Sequence, residues 1–267
     1  MNVFEETKYI MNKYNVHPNK KLGQNFLFDE EALNLIASGV NEQDTIIEIG
    51  PGLGTLTAIL AEKAEKVIAV ELDDKMIAIL NERFKLYNNV EIIHEDILNV
   101  DIDKIAPKAK VVANLPYYIT TSIITKLLKT NIKDITVLIQ KEVAERICAI
   151  PGSKKAGAIT YFVNYYANAK IVGNVSKEAF IPNPEVESSI VKLKIRENKL
   201  VEVKNETMFF EIIRANFNQR RKTLINSLST VVDKKILKEI LRDLNINENV
   251  RGETLTLEQY AQIANKL

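Results

Sequence analysis

Cysteine occurs once in the 267 residues, at Cys148, which excludes an intramolecular disulfide and a cysteine-rich metal site. Histidine occurs only at His17 and His94, far apart in sequence, so no histidine cluster is suggested and no metal is expected. No stretch approaches about 18 uncharged apolar residues, and no membrane span is predicted. The amino terminus has no apolar run behind its charges and does not read as a secretory signal. A soluble cytoplasmic chain is the expectation. Net charge is only +1, so a nucleic-acid partner would be signalled by where the charges sit and not by their total.

What is present suits a globular protein: 46% apolar and 27% charged residues, in a chain long enough for one large core and a second, smaller unit. Short β-rich runs at 45–49, 66–70, 90–94, 110–113 and 135–139 alternate with helical patterns such as 56–65 and 75–84. That order predicts βαβ crossovers and a mostly parallel, Rossmann-like α/β sheet covered by helices on both faces. The strands are nearly all apolar, as burial on two faces requires. After Gly157 an aromatic-rich run at 161–166 leads into 170–175, a loop bearing Pro182 and Pro184, and 189–195. These last two segments predict an antiparallel pair completing the sheet. Charges at 196–204 mark a boundary, and patterns beyond Glu206 are helical, with Thr256 capping 257–264. The expected division is a catalytic domain at 1–197 and a small helical domain at 198–267.

The sharpest local signal is Glu48-Ile49-Gly50-Pro51-Gly52-Leu53-Gly54, placed after a strand and before a helix. Close glycines let the backbone turn tightly and approach a bulky ligand. A dinucleotide fingerprint fails, because its third glycine position holds Thr55 counting from Gly50 and Thr57 counting from Gly52. A Walker loop fails for want of a Lys-Ser/Thr pair. The alternation Gly50, Gly52, Gly54 behind Glu48 resembles the first loop of class I S-adenosylmethionine methyltransferases. Glu71 ends the second strand, where an acid can accept from both hydroxyls of a ribose. Asp96 closes the third and could accept from an adenine amino group. Each alone could be a solvated strand-end carboxylate; in succession after this loop they point to a nucleoside.

Asn114-Leu115-Pro116-Tyr117 directly follows the fourth strand and opens onto the same sheet edge. Most such tetrapeptides are proline turns with a packed tyrosine, but this placement fits chemistry at an exocyclic amino nitrogen. Such a nitrogen is a poor nucleophile because its lone pair is delocalised into the ring. Acceptors on its two hydrogens, the Asn114 side-chain oxygen and the Leu115 carbonyl, would favour a pyramidal nitrogen, with Pro116 holding the turn. Tyr117 would stack on an extruded base. Phe180 is a second candidate ring for the opposite face, with core packing as its competing use.

Taken together, these residues resemble the ribosomal RNA adenine N6-dimethyltransferase family, nearest its small-subunit branch. The resemblance runs from about Pro18 to Ala264. It includes Lys21-Leu22-Gly23-Gln24-Asn25-Phe26-Leu27, Gln140-Lys141-Glu142, the loop from Phe180 to Ser188, and Phe217-Asn218-Gln219-Arg220-Arg221-Lys222-Thr223. It implies a class I methyltransferase fold with S-adenosylmethionine as cofactor, held by Asn25, Leu27, Gly50, Gly52, Glu71, Leu72, Asp96, Ile97 and Asn114. It implies N6,N6-dimethyladenosine at two adjacent sites near the 3′ end of 16S rRNA, made in the 30S subunit or its precursor; a monomer is the default expectation. Tyr118 and Ser122 depart from residues common in the family, asparagine and proline, and Glu187 replaces a common aspartate.

The rivals are the antibiotic-resistance branch acting on 23S rRNA, a DNA adenine methyltransferase, and a non-catalytic assembly factor. Isoleucine usually follows the asparagine in the first, no target-recognition insertion is visible for the second, and Glu71, Asp96 and Asn114 are all retained against the third. In the tail no acidic residue falls between Ile212 and Val232, while Arg214, Arg220, Arg221 and Lys222 carry positive charge. Arg220, Arg221 and Lys222 are the candidate RNA-binding residues, against the plainer reading of a solvated helix face. On one unbroken helix Arg220 would fall inside the apolar face of Phe209, Ile213, Phe217, Leu224 and Leu228. Either it pairs against the catalytic domain, or the chain breaks near 216–218.

Overall fold

The computed structural model describes residues 1–19 and 22–267; Lys21, which opens the motif running to Leu27, lies outside the described residues. The first elements are α1 (Val3–Lys13), β1 (Phe26–Leu27), α2 (Glu30–Ile36), β2 (Thr45–Ile49), α3 (Thr55–Lys63), β3 (Lys66–Glu71) and α4 (Asp74–Phe84). There follow β4 (Val90–His94), α5 (Ile102–Ile105), β5 (Lys110–Asn114), α6 (Thr120–Leu127), β6 (Asp134–Gln140), α7 (Lys141–Ile147) and α8 (Ala158–Tyr166). The chain continues through β7 (Ala167–Val175), β8 (Phe180–Ile181), β9 (Ser188–Ile195), α9 (Glu206–Asn218), α10 (Leu224–Ser227), α11 (Lys234–Asp243) and α12 (Leu257–Lys266).

Residues Met1–Ala144 with Lys170–Ile195 form one compact unit, and Glu145–Ala169 with Arg196–Leu267 form a second. The sequence suggests a single crossing at 197; the structure adds the segment 145–169 to the helical unit. The cause is α8, whose Ile159, Thr160, Tyr161, Phe162, Val163 and Tyr165 are all buried. Its rings pack against those of the C-terminal helices: Tyr161 against Phe217 and Tyr260, and Phe162 and Tyr165 against Phe210, with centroids 4.7–5.3 Å apart. Thr256 caps α12 as expected, its hydroxyl accepting from the Gln259 N–H in a reciprocal capping box.

In the first unit the seven strands lie in the order β4-β3-β2-β5-β6-β9-β7. The run from β4 to β6 is parallel, and β9 is antiparallel to β6, with Gln140 opposite Ser188. This is the mostly parallel Rossmann-like sheet with a late antiparallel strand that the apolar runs predict. Ile46, Ile47, Val67, Val111, Val137 and Leu138 have no exposed surface, and each such burial contributes about 1.5–3 kcal/mol. The strand order reverses between β2 and β5. At such a point neighbouring loops diverge and leave a crevice beyond the carboxyl ends of the strands. A two-stranded ribbon, β1 with β8, pairs Leu27 with Phe180.

Candidate active site

The loops that follow β2, β3, β4 and β5 line one cleft, together with Gly23, Gln24, Asn25, Phe26 and Leu27. Gly50, Gly52, Glu71, Leu72, Asp96, Ile97, Asn114, Leu115, Pro116 and Tyr117 all face it. Residues spread over some ninety positions of sequence are thus brought together by the parallel order of the strands.

The glycine loop keeps the backbone low. Gly50, Gly52 and Gly54 have φ of +65°, +58° and +82°, values L-residues with side chains rarely adopt. A Cβ at Gly52 would also stand 3.2 Å from the ring of Phe26. Arg83, which no sequence pattern singles out, braces this loop by donating to the Leu53 carbonyl while pairing with Glu6 of α1 at 2.5 Å.

Glu71 is buried, and its carboxylate already accepts three backbone N–H groups: Gly52 at 3.1 Å, Leu72 at 2.8 Å and Asp73 at 2.9 Å. A carboxylate offers about four acceptor sites. Receiving both hydroxyls of a ribose therefore requires one backbone donor to give way. Burial raises the Glu71 pKa above the usual carboxylate value, opposed by those same three bonds. Asp96 is half-buried and uses Oδ1 on the Leu98 N–H at 2.8 Å. Leu72 and Ile97 place apolar side chains beside the two acids. A left-handed glycine loop, two acids at adjacent strand ends and an apolar lining form a donor and acceptor set that fits a nucleoside with a charged tail.

Asn114 ends β5, and its Nδ2 donates to the Asn25 carbonyl at 3.2 Å. That bond orients the amide, with Oδ1 making no hydrogen bond to the described residues. Tyr117 is half-buried, and its hydroxyl shares a 2.6 Å hydrogen bond with the Ser188 hydroxyl at the start of β9. Burial raises the phenol's pKa above its ordinary value. Phe180 does not join the cleft lining. Its ring is fully buried in the core with Leu27, Ile36, Leu138 and Ile190, because pairing with β1 turns it inward. In this arrangement it packs, and presents no face to a base.

Glu48, in the glycine motif, is almost wholly buried and accepts from the Thr57 hydroxyl at 2.6 Å. Burial pushes its pKa from 4.5 up to about 8, with Thr57 opposing and the charge of Glu71 adding. Its folded pKa lies above its unfolded one, so the unfolded chain ionises first. Stability is then complete below about pH 4.5 and is lost as pH rises through about 8, a loss on the order of 3 kcal/mol by neutrality. Glu48→Gln is expected to flatten this decline. Urea midpoints of both proteins at about pH 5, 7 and 8.5 check it, and parallel curves would contradict the assignment.

The tail resolves the position of Arg220. Helix α9 ends at Asn218, capped at Gln219, so the apolar stripe is not one helix. Arg220 pairs with Glu253 at 3.0 Å and lies over the Phe217 ring, a partner within the helical unit and not in the sheet. Arg221 and Lys222 are exposed and make no ion pair among the described residues.

A family model described as "Ribosomal RNA adenine dimethylase" matches residues 15–267. The chain belongs to the ribosomal RNA adenine dimethylase family. It is 50% identical over 258 residues to a "Ribosomal RNA small subunit methyltransferase A" of Caldanaerobacter subterraneus, covering 93% of this chain and 96% of that one. A protein of the same name from Alkaliphilus oremlandii is 47% identical over 276 residues, covering 98% and 96%. Among solved structures, a dimethyladenosine transferase from Plasmodium falciparum superposes with a TM-score of 0.75 at 28% identity, covering 89% and 95%. The chain is therefore an S-adenosylmethionine-dependent ribosomal RNA methyltransferase of class I fold.

Proposed function

We propose that this dimethylase converts two adjacent adenosines near the 3′ end of 16S rRNA to N6,N6-dimethyladenosine, in the 30S subunit or its precursor, as a monomer. The observation that carries the reading is the Asn114 amide, oriented by Asn25 and set beside Tyr117 in the cleft that holds Glu71 and Asp96. The small-subunit relatives support the choice of RNA.

S-adenosylmethionine, when bound, supplies an electrophilic methyl group. Its binding falls to Asn25, Leu27, Gly50, Gly52, Glu71, Leu72, Asp96, Ile97 and Asn114. Asn114 Oδ1 and the Leu115 carbonyl accept from the adenine amino group and localise its lone pair, while Tyr117 stacks on the base. No strong base is needed before attack, because the methylated nitrogen is cationic and sheds a proton afterwards. Orientation and fixed dipoles carry the catalysis. Offering 30S and 50S subunits together with labelled cofactor tests the substrate. Label confined to large-subunit RNA would assign the chain to the other branch.

In this reading the sheet-bearing unit, 1–144 with 170–195, does the chemistry, and the helical unit, 145–169 with 196–267, docks on ribosomal RNA. Arg221 and Lys222, both exposed, would meet phosphates, whereas Arg220 is engaged by Glu253. Arg221→Glu with Lys222→Glu is expected to weaken 30S binding several-fold or more. The salt dependence should shrink and cofactor affinity should stay the same. Titration at three salt concentrations measures both, and an unchanged slope in a folded variant would leave the pair as plain solvated surface.

A further inference from the structure

Two consecutive tyrosines leave β5 and part company. Tyr117 aims its hydroxyl at Ser188, on the β9 side. Tyr118 lies on the other wall, where its ring carbon Cδ1 is 3.5 Å from the position a Cβ of Gly23 would take. It lines the same cleft as Leu72, Asp96 and Ile97. Tyr118 is 54% exposed, and Leu72 beside the same cleft is 45% exposed. A large aromatic and a leucine left open beside a half-buried carboxylate offer apolar surface to a flat ring that hydrogen-bonds at its edge. The Tyr118 phenol is raised above its ordinary pKa by burial first, and then by the charges of Asp96 and Glu71, which sets its hydroxyl in the field of both acids.

We infer that Tyr118 is a cofactor-binding residue that covers the adenine of S-adenosylmethionine, so that the tyrosine pair divides between two ligands. Tyr117 serves the target base and Tyr118 the cofactor's own base. A ring above an adenine gives affinity through stacking area, and the phenol oxygen adds little to it. The Tyr118 ring lies against Gly23, whose φ of +61° belongs to the left-handed region that favours glycine. The inference needs only that this cleft holds the cofactor; it is independent of whether Tyr117 stacks on RNA.

The test is equilibrium binding to the full chain without RNA. The probes are S-adenosylhomocysteine and 5′-methylthioadenosine, which lacks the amino-acid tail. Tyr118→Ala should weaken both by a similar factor, roughly five- to fiftyfold, and Tyr118→Phe should stay within about twofold of wild type. Loss for S-adenosylhomocysteine alone would move Tyr118 to the amino-acid end and overturn the inference. So would unchanged binding of both, whether or not 30S affinity falls. Melting temperatures guard the comparison, since an exposed ring can be truncated without opening the core.

Discussion

Asn114→Ala is expected to lower the single-turnover rate of methyl transfer by roughly 10²–10³-fold, the size of effect seen when one preorganised hydrogen-bonding group is removed from a reacting centre. S-adenosylmethionine affinity is expected to fall no more than a few-fold, because Asn114 is one of nine residues proposed to hold it and the glycine loop, Glu71 and Asp96 are untouched. In the proposed mechanism the loss would fall on the rate, because the Asn114 amide would act where the amino nitrogen gains charge, a change made only in the transition state. The variant gives up one 3.2 Å bond to the Asn25 carbonyl and otherwise truncates a half-buried side chain, so folding should survive. The two methylations also differ. The first removes one of the two amino hydrogens, so one acceptor must release its bond before the second. Wild-type rates on purified RNA would remove Asn114 from the chemistry.

Gly252→Ala is expected to destabilise the helical unit by about 3 kcal/mol or more, the upper end of overpacking, and to lower the melting temperature by roughly 10 °C. An added Cβ would lie 2.3 Å from Asn216 Oδ1 and 2.5 Å from the Tyr260 hydroxyl. Asn216 and Tyr260 are both fully buried, so neither can swing out to solvent. Displacing Asn216 would also break its 3.1 Å bond from the Ser227 hydroxyl, which ties α9 to α10. Asn216→Ala should restore part of the loss, because it removes the amide that the new methyl meets. Thermal unfolding of the single and double variants decides this, and a wild-type melting temperature for Gly252→Ala would refute the packing account.

The parallel core was legible because strands buried on both faces are written as mostly apolar runs, as β2, β3, β5 and β6 are, while β4, at the sheet edge, is only partly buried. The cofactor edge followed, since Glu71, Asp96 and Asn114 stand where three of those strands stop. Helix α8 was harder to read. Six of its nine residues are buried, so no polar face marks a period near 3.6 residues, and its allegiance to the tail depends on rings distant in sequence. Arg220 could not be settled from periodicity because its partner, Glu253, lies beyond two intervening helices. Phe180 had two uses on paper, and pairing with Leu27 selects the core one. Glu71 is legible as a strand-end acid, but only the folded loop reveals its three backbone donors. Tyr118 was visible as a departure from the family pattern, but its place in the cleft beside Gly23, almost a hundred residues earlier, shows only in the fold.

The most direct test of the central claim is nucleoside-resolved mass spectrometry of ribosomal RNA after unmethylated 30S and 50S subunits are incubated with the enzyme and S-adenosylmethionine. The account predicts N6,N6-dimethyladenosine at two adjacent positions near the 3′ end of 16S rRNA, formed roughly 10²–10³-fold more slowly with Asn114→Ala. Dimethyladenosine found only in 23S rRNA, or methyl groups on atoms other than adenine N6, would contradict it.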